Sequence, residues 1–185
     1  MMRLILFGPP GAGKGTQAAA LSAQLQVPHI STGDIFRAAI ADQSELGIKV
    51  QSYLNAGKLV PDAVVIDMVA ERLAKDDIAS GWILDGFPRT VPQAEALDQL
   101  LSKIKQDYSW VLNLQVAESL LVERLLERQR QDDTEQVIQE RLNVYREQTA
   151  PVLEFYGKGT RLVNIDGAAE VETVTTRIQS AITGG

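Results

Sequence analysis

Leu4-Ile5-Leu6-Phe7 runs directly into Gly8-Pro9-Pro10-Gly11-Ala12-Gly13-Lys14-Gly15-Thr16, and a helix-compatible stretch follows as far as Leu25. A short apolar strand, a glycine-rich turn and a helix, in that order, are the context in which a glycine string becomes a phosphate site. Glycines let the backbone wrap an anion with its N–H groups pointing inward, and the helix N-terminus adds partial positive charge. Lys14 can then reach outer phosphates as a mobile point charge. The strict pattern asks for Ser or Thr directly after the lysine. Here Gly15 holds that place and Thr16 comes one later. Two readings stay open at this point: a magnesium ion held in some other way, or a glycine-rich turn with no ligand. Gly8, Gly13 and Lys14 in register after a strand favour phosphate binding.

Outward from that turn, 185 residues are one domain's length with room for a small insertion. An apolar content of 45% and a mean hydropathy of -0.05 are those of a soluble globular chain. The net charge of -6 argues against a nonspecific nucleic-acid partner, so any anion site must be local. With no cysteine, disulfides, thiol catalysis and a cysteine-based zinc site are excluded. No stretch reads as a signal peptide and no apolar run approaches membrane length, so the expected location is the cytoplasm with no membrane partner.

Short apolar runs alternate with amphipathic stretches, which predicts βα units and a parallel sheet. Strands are expected at 3–7, 28–31, 82–85, 110–115 and 161–165, each nearly all apolar as suits a strand covered on both faces. Helices are expected at 15–26, 32–41, 44–55, 62–75, 91–102, 118–130, 134–156 and 170–182. Asp62 reads as an acidic N-cap after Pro61, Thr134 as the start of the longest helix, and Gly57 as a C-cap. Some fifty residues separate the second and third strands, far more than a simple crossover needs. Residues 31–60 therefore read as a helical insertion able to move on the sheet, the alternative being extra core helices with no mobility.

Asp85, in Ile83-Leu84-Asp85-Gly86-Phe87-Pro88-Arg89, ends a buried strand with a carboxylate. Beside a phosphate loop it is placed to orient magnesium's water shell; alone, it would be a turn or N-cap aspartate. Arg37, Arg89, Arg124, Arg128, Arg130 and Arg141 are candidate phosphate ligands, since guanidinium forks bind phosphate at two points. Four of the six lie between 124 and 141, interleaved with Glu127, Asp132 and Asp133. A salt-bridged exposed helix explains that spacing equally well. His29 is the only histidine and, with no histidine or cysteine partner, reads as structural.

These residues together resemble the adenylate kinase family, nearly end to end. Gly8 to Thr16 has that family's form of the phosphate loop, glycine after lysine included. His29-Ile-Ser-Thr-Gly-Asp34 with Arg37 resembles its AMP-side segment, and Gly57-Lys-Leu-Val-Pro-Asp62 its hinge. Asp85-Gly-Phe-Pro-Arg-Thr90 with Gln93 is the most specific signature. The resemblance implies a P-loop α/β three-layer sandwich with a five-stranded parallel sheet, whose core spans 1–30, 61–126 and 134–185. It implies a helical NMP-binding insertion at 31–60 and a vestigial lid at 127–133.

By the same resemblance, Gly11, Ala12, Gly13, Lys14, Gly15, Thr16, Arg124, Arg128 and a main-chain contact at Ala169 hold ATP. Thr32, Arg37, Lys58, Leu59, Val60, Gly86, Phe87, Pro88, Arg89, Gln93, Arg130 and Arg141 hold AMP, Gln93 by pairing with the adenine edge. Lys14, Arg37, Arg89, Arg128, Arg130 and Arg141 act on the transferring group, and Asp85 serves a magnesium ion through water. The implied partners are ATP, AMP and ADP, the implied state a monomer. Long members carry an extended lid between the arginines matching Arg128 and Arg130; here Gln129 alone intervenes, leaving no room for a zinc knuckle. Two other functions compete. A UMP/CMP kinase of this fold usually carries alanine at the Thr32 position and asparagine at the Gln93 position. A nucleotide-binding switch needs a γ-phosphate-sensing loop, and none is found.

Overall fold

A computed structural model of the chain describes residues 1–128, 130 and 133–183. Five strands, β1 (Met2–Phe7), β2 (His29–Ser31), β3 (Gly81–Asp85), β4 (Trp110–Gln115) and β5 (Leu162–Asp166), form one parallel sheet in the order β2-β3-β1-β4-β5. Their apolar runs are divided by the two-residue repeat of a strand between two cores. Leu4, Leu6, Ile83, Leu112 and Leu114 point to one face, Ile5, Phe7, Trp82, Leu84 and Val111 to the other.

The first face is covered by α1 (Lys14–Leu25), α6 (Glu118–Glu127), α7 (Glu135–Val144) and α9 (Val171–Thr183), which bury Leu21, Leu125, Leu142 and Ile178 against it. The second is covered by α4 (Asp62–Leu73), α5 (Val91–Lys103) and α8 (Val152–Gly157), through Val69, Leu97 and Val152. The result is the expected three-layer α/β sandwich. Gln17 of α1 links two elements of one layer: its Nε2 donates to Val171 O at 3.0 Å, and the Thr175 hydroxyl donates to its Oε1 at 2.8 Å.

Between β2 and α4 stand two helices, α2 (Thr32–Ala41) and α3 (Glu45–Asn55), packed as a hairpin. Ser31 caps α2 by accepting from Asp34 N at 3.3 Å, and Ser44 caps α3 by accepting from Gly47 N at 3.1 Å. The helices approach so closely that a Cβ on Gly47 would stand 2.0 Å from Ala39 O. Phe36 and Val50 belong to the same buried cluster as the second face of the sheet, so the hairpin shares the domain's core. Gly57 closes α3 with φ 71°, a left-handed C-terminal turn.

Several expectations need correcting, among them the helix expected at 118–130, which stops at Glu127. The long helix at 134–156 is three pieces: α7 ends at Val144, a π turn spans Tyr145–Thr149, and α8 starts after Pro151. Pro151 has no N–H to give and its ring crowds the carbonyl four residues back, so the chain widens to an Ala150 N to Tyr145 O bond of 2.8 Å. The helix expected at 62–75 stops at Leu73, followed by a tight 3-10 turn over Asp76–Ser80. Asp62 does not cap it; Pro61 stands at the cap, and the Asp62 carboxylate is turned toward α5. Thr134 does start α7, accepting from Val137 N at 3.3 Å.

Candidate active site

All five strands point their carboxyl ends at one cleft of about 1010 Å³, the edge where parallel α/β sheets hold ligands. That volume matches the upper end of ordinary ligand pockets, roughly 300 to 1,000 Å³. The glycine turn between β1 and α1 forms its floor. Gly13 stands at the cap of α1 with φ 93° and no side chain to bond the helix's first N–H groups, which therefore remain available to an anion. Lys14 Nζ donates to Gly8 O at 2.8 Å and Pro9 O at 3.0 Å, bracing the turn from within. Burial holds this ammonium down to about 8, with Arg89 and Arg128 adding to the effect and Asp85 opposing it.

In the sheet register Asp85 pairs with Leu6, so the strand carrying the carboxylate ends beside the start of the turn. A Cβ on Gly15 would meet Asp85 Oδ2 at 3.5 Å. Asp85 is 9% exposed. Burial opposes its ionisation, but His29, Lys14 and Arg89 outweigh it and hold the carboxyl below the usual range. His29 Nε2 lies 3.4 Å from Asp85 Oδ2 without hydrogen-bond geometry. The histidine read as structural therefore lines the cleft. Its position at the start of β2, which pairs with β3, could have been inferred only from strand order, and a sequence does not state that order.

Each of the six arginines reaches the cleft. Arg89 Nε donates to Gly86 O at 2.8 Å, and burial together with Arg141 and Arg37 lowers its pKa while Asp85 resists. Arg37 pairs with Asp34 one turn earlier on α2. Arg128 grips Asp133 with two bonds, Nε at 2.8 Å and a terminal nitrogen at 2.7 Å, and Arg141 donates to the same carboxylate at 2.8 Å. The Asp133 side chain is 0% exposed. Burial would raise its pKa, but the two guanidiniums bring it below the usual range. Burial lowers the pKa of Arg130, with Arg128 and Arg37 next in effect. Arg124 donates twice, at 3.1 Å, to Gly167 O, beside Ala169 in the cleft wall. The six arginines converge on one cleft, and among the described residues Arg37, Arg128 and Arg141 are ion-paired within it.

On the insertion side, Lys58, Leu59 and Val60 line the cleft after the Gly57 turn. Thr32 also lines it, its hydroxyl donating to Gly86 O at 2.9 Å. Gly86, Pro88, Arg89 and Gln93 contribute to the wall. Phe87 does not: its side chain is 2% exposed in the core beneath, leaving only its main chain for the role expected of it. Of the segment 127–133, expected to be a vestigial lid, Gln129, Gln131 and Asp132 lie outside the described residues. Arg128 and Asp133 bridge it, and Asp133 N bonds Arg130 O at 2.9 Å. Asp133 was legible in the sequence only as a charge interleaved among arginines.

The cleft thus gathers Lys14 and six arginines in a chain of net charge -6, with an open backbone anion site at one end and a helical hairpin at the other. It can hold more than one phosphorylated ligand and neutralise charge passing between them. The family model for adenylate kinase matches residues 6–161. The chain is 55% identical to a curated adenylate kinase of a Cyanothece species, covering 98% of this chain and 95% of the relative. It is 54% identical to the adenylate kinase of Corynebacterium glutamicum and 52% identical to adenylate kinase 1 of a Nostoc species, each over 98% of this chain and 99% of the relative. From the match over most of the domain and these near full-length identities, the chain belongs to the adenylate kinase family of phosphotransferases.

Proposed function

We propose that this cleft transfers the terminal phosphoryl group of ATP reversibly to AMP, yielding two ADP. The observation that carries the reading is the convergence of Lys14 and six arginines on one cleft roomy enough for two nucleotides. In the proposed arrangement Gly11 to Thr16 cradle the ATP phosphates with backbone N–H groups, while Arg124, Arg128 and the main chain at Ala169 flank the nucleoside. Thr32, Arg37, the 58–60 segment, the Gly86 to Arg89 backbone and Gln93 receive AMP. Arg89, Arg130 and Arg141 stand between.

An oxygen of the AMP phosphate attacks the γ-phosphorus; that P–O bond forms as the bond to the β–γ bridging oxygen breaks, and ADP leaves as an anion. The nucleophile is already ionised, so no side chain need take a proton. What the protein supplies is alignment and compensation of charge on the transferring group. Fixed guanidiniums in a crowded cleft do this without reorganising at the moment of transfer.

A magnesium ion fits the same place. Its preference is for hard oxygen ligands and retained waters, and Asp85, an ionised carboxylate facing the turn, offers an oxygen suited to hold such waters. Among the described residues no three His, Cys, Asp or Glu side chains cluster as a cage, so the remaining ligands would be phosphates and water. When bound, the ion would spread the charge of the donor's phosphates. Among the described residues no helix is long and apolar enough to cross a membrane. A cytoplasmic monomer, the family's usual form, with a lid shortened to 127–133 completes the proposal.

The test is ADP formation from MgATP with AMP, CMP or UMP as acceptor, alongside ATP alone. Strong preference for AMP is expected. Equal turnover with CMP and UMP would remove the adenine assignment, and ATP hydrolysis unaffected by any acceptor would point to a nucleotide-driven switch.

A further inference from the structure

Gln93 is 1% exposed, yet it borders the cleft, and its carboxamide is held from both ends by partners of opposite kind. Its Nε2 donates to Asp62 Oδ1 at 2.7 Å. Its Oε1 accepts from the backbone N–H of Arg89 at 2.7 Å. A carboxylate only accepts and a main-chain N–H only donates, so these two contacts admit one orientation of the amide and forbid its flip. The second oxygen of Asp62 accepts from the Thr90 hydroxyl at 3.1 Å, and that hydroxyl in turn caps α5 by accepting from Gln93 N at 3.3 Å. Asp62 is thereby fixed to the start of α5 by two donors. This explains why it has left the cap position at the start of its own helix.

We infer that Asp62 is a positioning residue for acceptor specificity, locking the Gln93 amide so that its free N–H and free lone pair match adenine. The inference rests on the reading above, in which Gln93 meets the acceptor base. An amide bonded in this way has one N–H and one lone pair left. Adenine offers the complement, an acceptor at N1 and a donor at the 6-amino group. Hypoxanthine offers the reverse, N1–H and a 6-oxygen, and suits a flipped amide. Against the locked amide it would set donor to donor and acceptor to acceptor, and mispaired polar groups in a buried site discriminate strongly. Gln93 supplies the hydrogen-bonding groups, and Asp62 determines which way round they are presented.

The experiment compares AMP with IMP as acceptor, each by kcat and KM, in the full chain and in Asp62→Ala, Asp62→Asn and Gln93→Ala. For Asp62→Ala the preference for AMP over IMP is expected to fall roughly tenfold, mainly through the acceptor KM, with KM for ATP nearly unchanged. Asp62→Asn is expected to keep most of the preference, because its carboxamide oxygen can still accept from Nε2 while the Thr90 hydroxyl rotates to accept. A preference unmoved in Asp62→Ala overturns the inference. So does Asp62→Asn behaving like Asp62→Ala, which would assign the effect to a negative charge at the start of α4. If the unaltered protein takes IMP as readily as AMP, or Gln93→Ala leaves the preference intact, the acceptor reading of Gln93 fails and the inference with it.

Discussion

On the loop side of the cleft the groups aimed at an anion belong to the backbone, and on the arginine side they are long side chains. The two sides balance their charge differently. The first N–H groups of α1 stand open behind Gly13, and Lys14 satisfies itself on the carbonyls of Gly8 and Pro9. Backbone dipoles carry no net charge, so they tolerate standing side by side. Guanidiniums crowded into a cleft do not, and here carboxylates stand beside them: Asp34 on Arg37, and Asp133 on both Arg128 and Arg141. Asp133 receives a two-point grip from Arg128 and a third bond from Arg141, the geometry in which guanidiniums also hold a phosphate. One side is pre-formed by the turn's geometry, the other by internal anions.

The largest effect expected from this contrast is at Lys14, the charged side chain of the glycine turn. Lys14→Met should lower kcat/KM about a thousandfold, as loss of a principal phosphate contact does. Its pKa, held near 8 by burial, adds a pH test. Below about 8 the ammonium is charged and attracts phosphate; above it the free enzyme loses that charge. Thus kcat/KM for ATP should decline as pH rises through about 8, while kcat persists to higher pH because bound phosphates restore the proton's affinity. A kcat/KM profile flat between about pH 7 and 9.5 would place the charge elsewhere.

Asp133 tests the opposite side. If it braces the two arginines, Asp133→Ala should reduce kcat by roughly ten- to a hundredfold, because the guanidiniums lose the geometry in which they await the transferring group. Removing a buried carboxylate between two cations should also cost about 1–3 kcal/mol in denaturant unfolding, tempered by the partial exposure of Arg128. A faster enzyme would mean that Asp133 competes with phosphate more than it braces, and the contrast between the two sides would have to be redrawn as competition.

What a sequence could show follows the same division. The loop, the strands and Asp85 were legible because short-range rules govern them: glycine where φ is positive, apolar runs where both faces of a sheet are covered. The start of α7 was legible from its Thr134 cap, whereas Ser31, which caps α2, read only as the end of a strand. The partners of the arginines were not, since Arg128, Asp133 and Arg141 meet only after a helix end and a turn bring them together. His29 faces Asp85 because β2 lies beside β3, a fact of strand order. Asp62 illustrates the same limit: local spacing favoured a cap, and a tertiary bond to Gln93 prevailed. Pro151 was there to be read, and a break in the long helix could have been inferred from it.

A smaller effect is expected where the α2–α3 hairpin is packed together. Gly47→Ala would set a methyl 2.0 Å from Ala39 O, a backbone atom that cannot step aside, so α2 and α3 must separate. A loss of roughly 1–3 kcal/mol is expected, with KM for AMP rising several-fold and KM for ATP nearly constant. Equal increases in both constants would mean that the hairpin supports the whole cleft, and the two sides would lose their independence.

The smallest expected effect is at Arg146, which separates an arginine's position from its mere presence. It lies one turn and a residue beyond Arg141 in sequence, in the π turn after α7, and bonds Glu118 at 2.6 Å. Both side chains are about half exposed, 49% and 53%, and neither residue lines the cleft. Solvent screens such a pair, so Arg146→Ala should change stability by no more than about 0.5 kcal/mol and leave kcat and both KM values unaltered. Arg141→Ala, five residues earlier, should lower kcat sharply, since that guanidinium stands in the cleft beside Asp133. If the two variants behave alike, what matters on the arginine side is general positive charge, and the argument from convergence loses its force. If they differ as expected, residues that a sequence presents as members of one charged helix are separated by which face the fold turns toward the nucleotides.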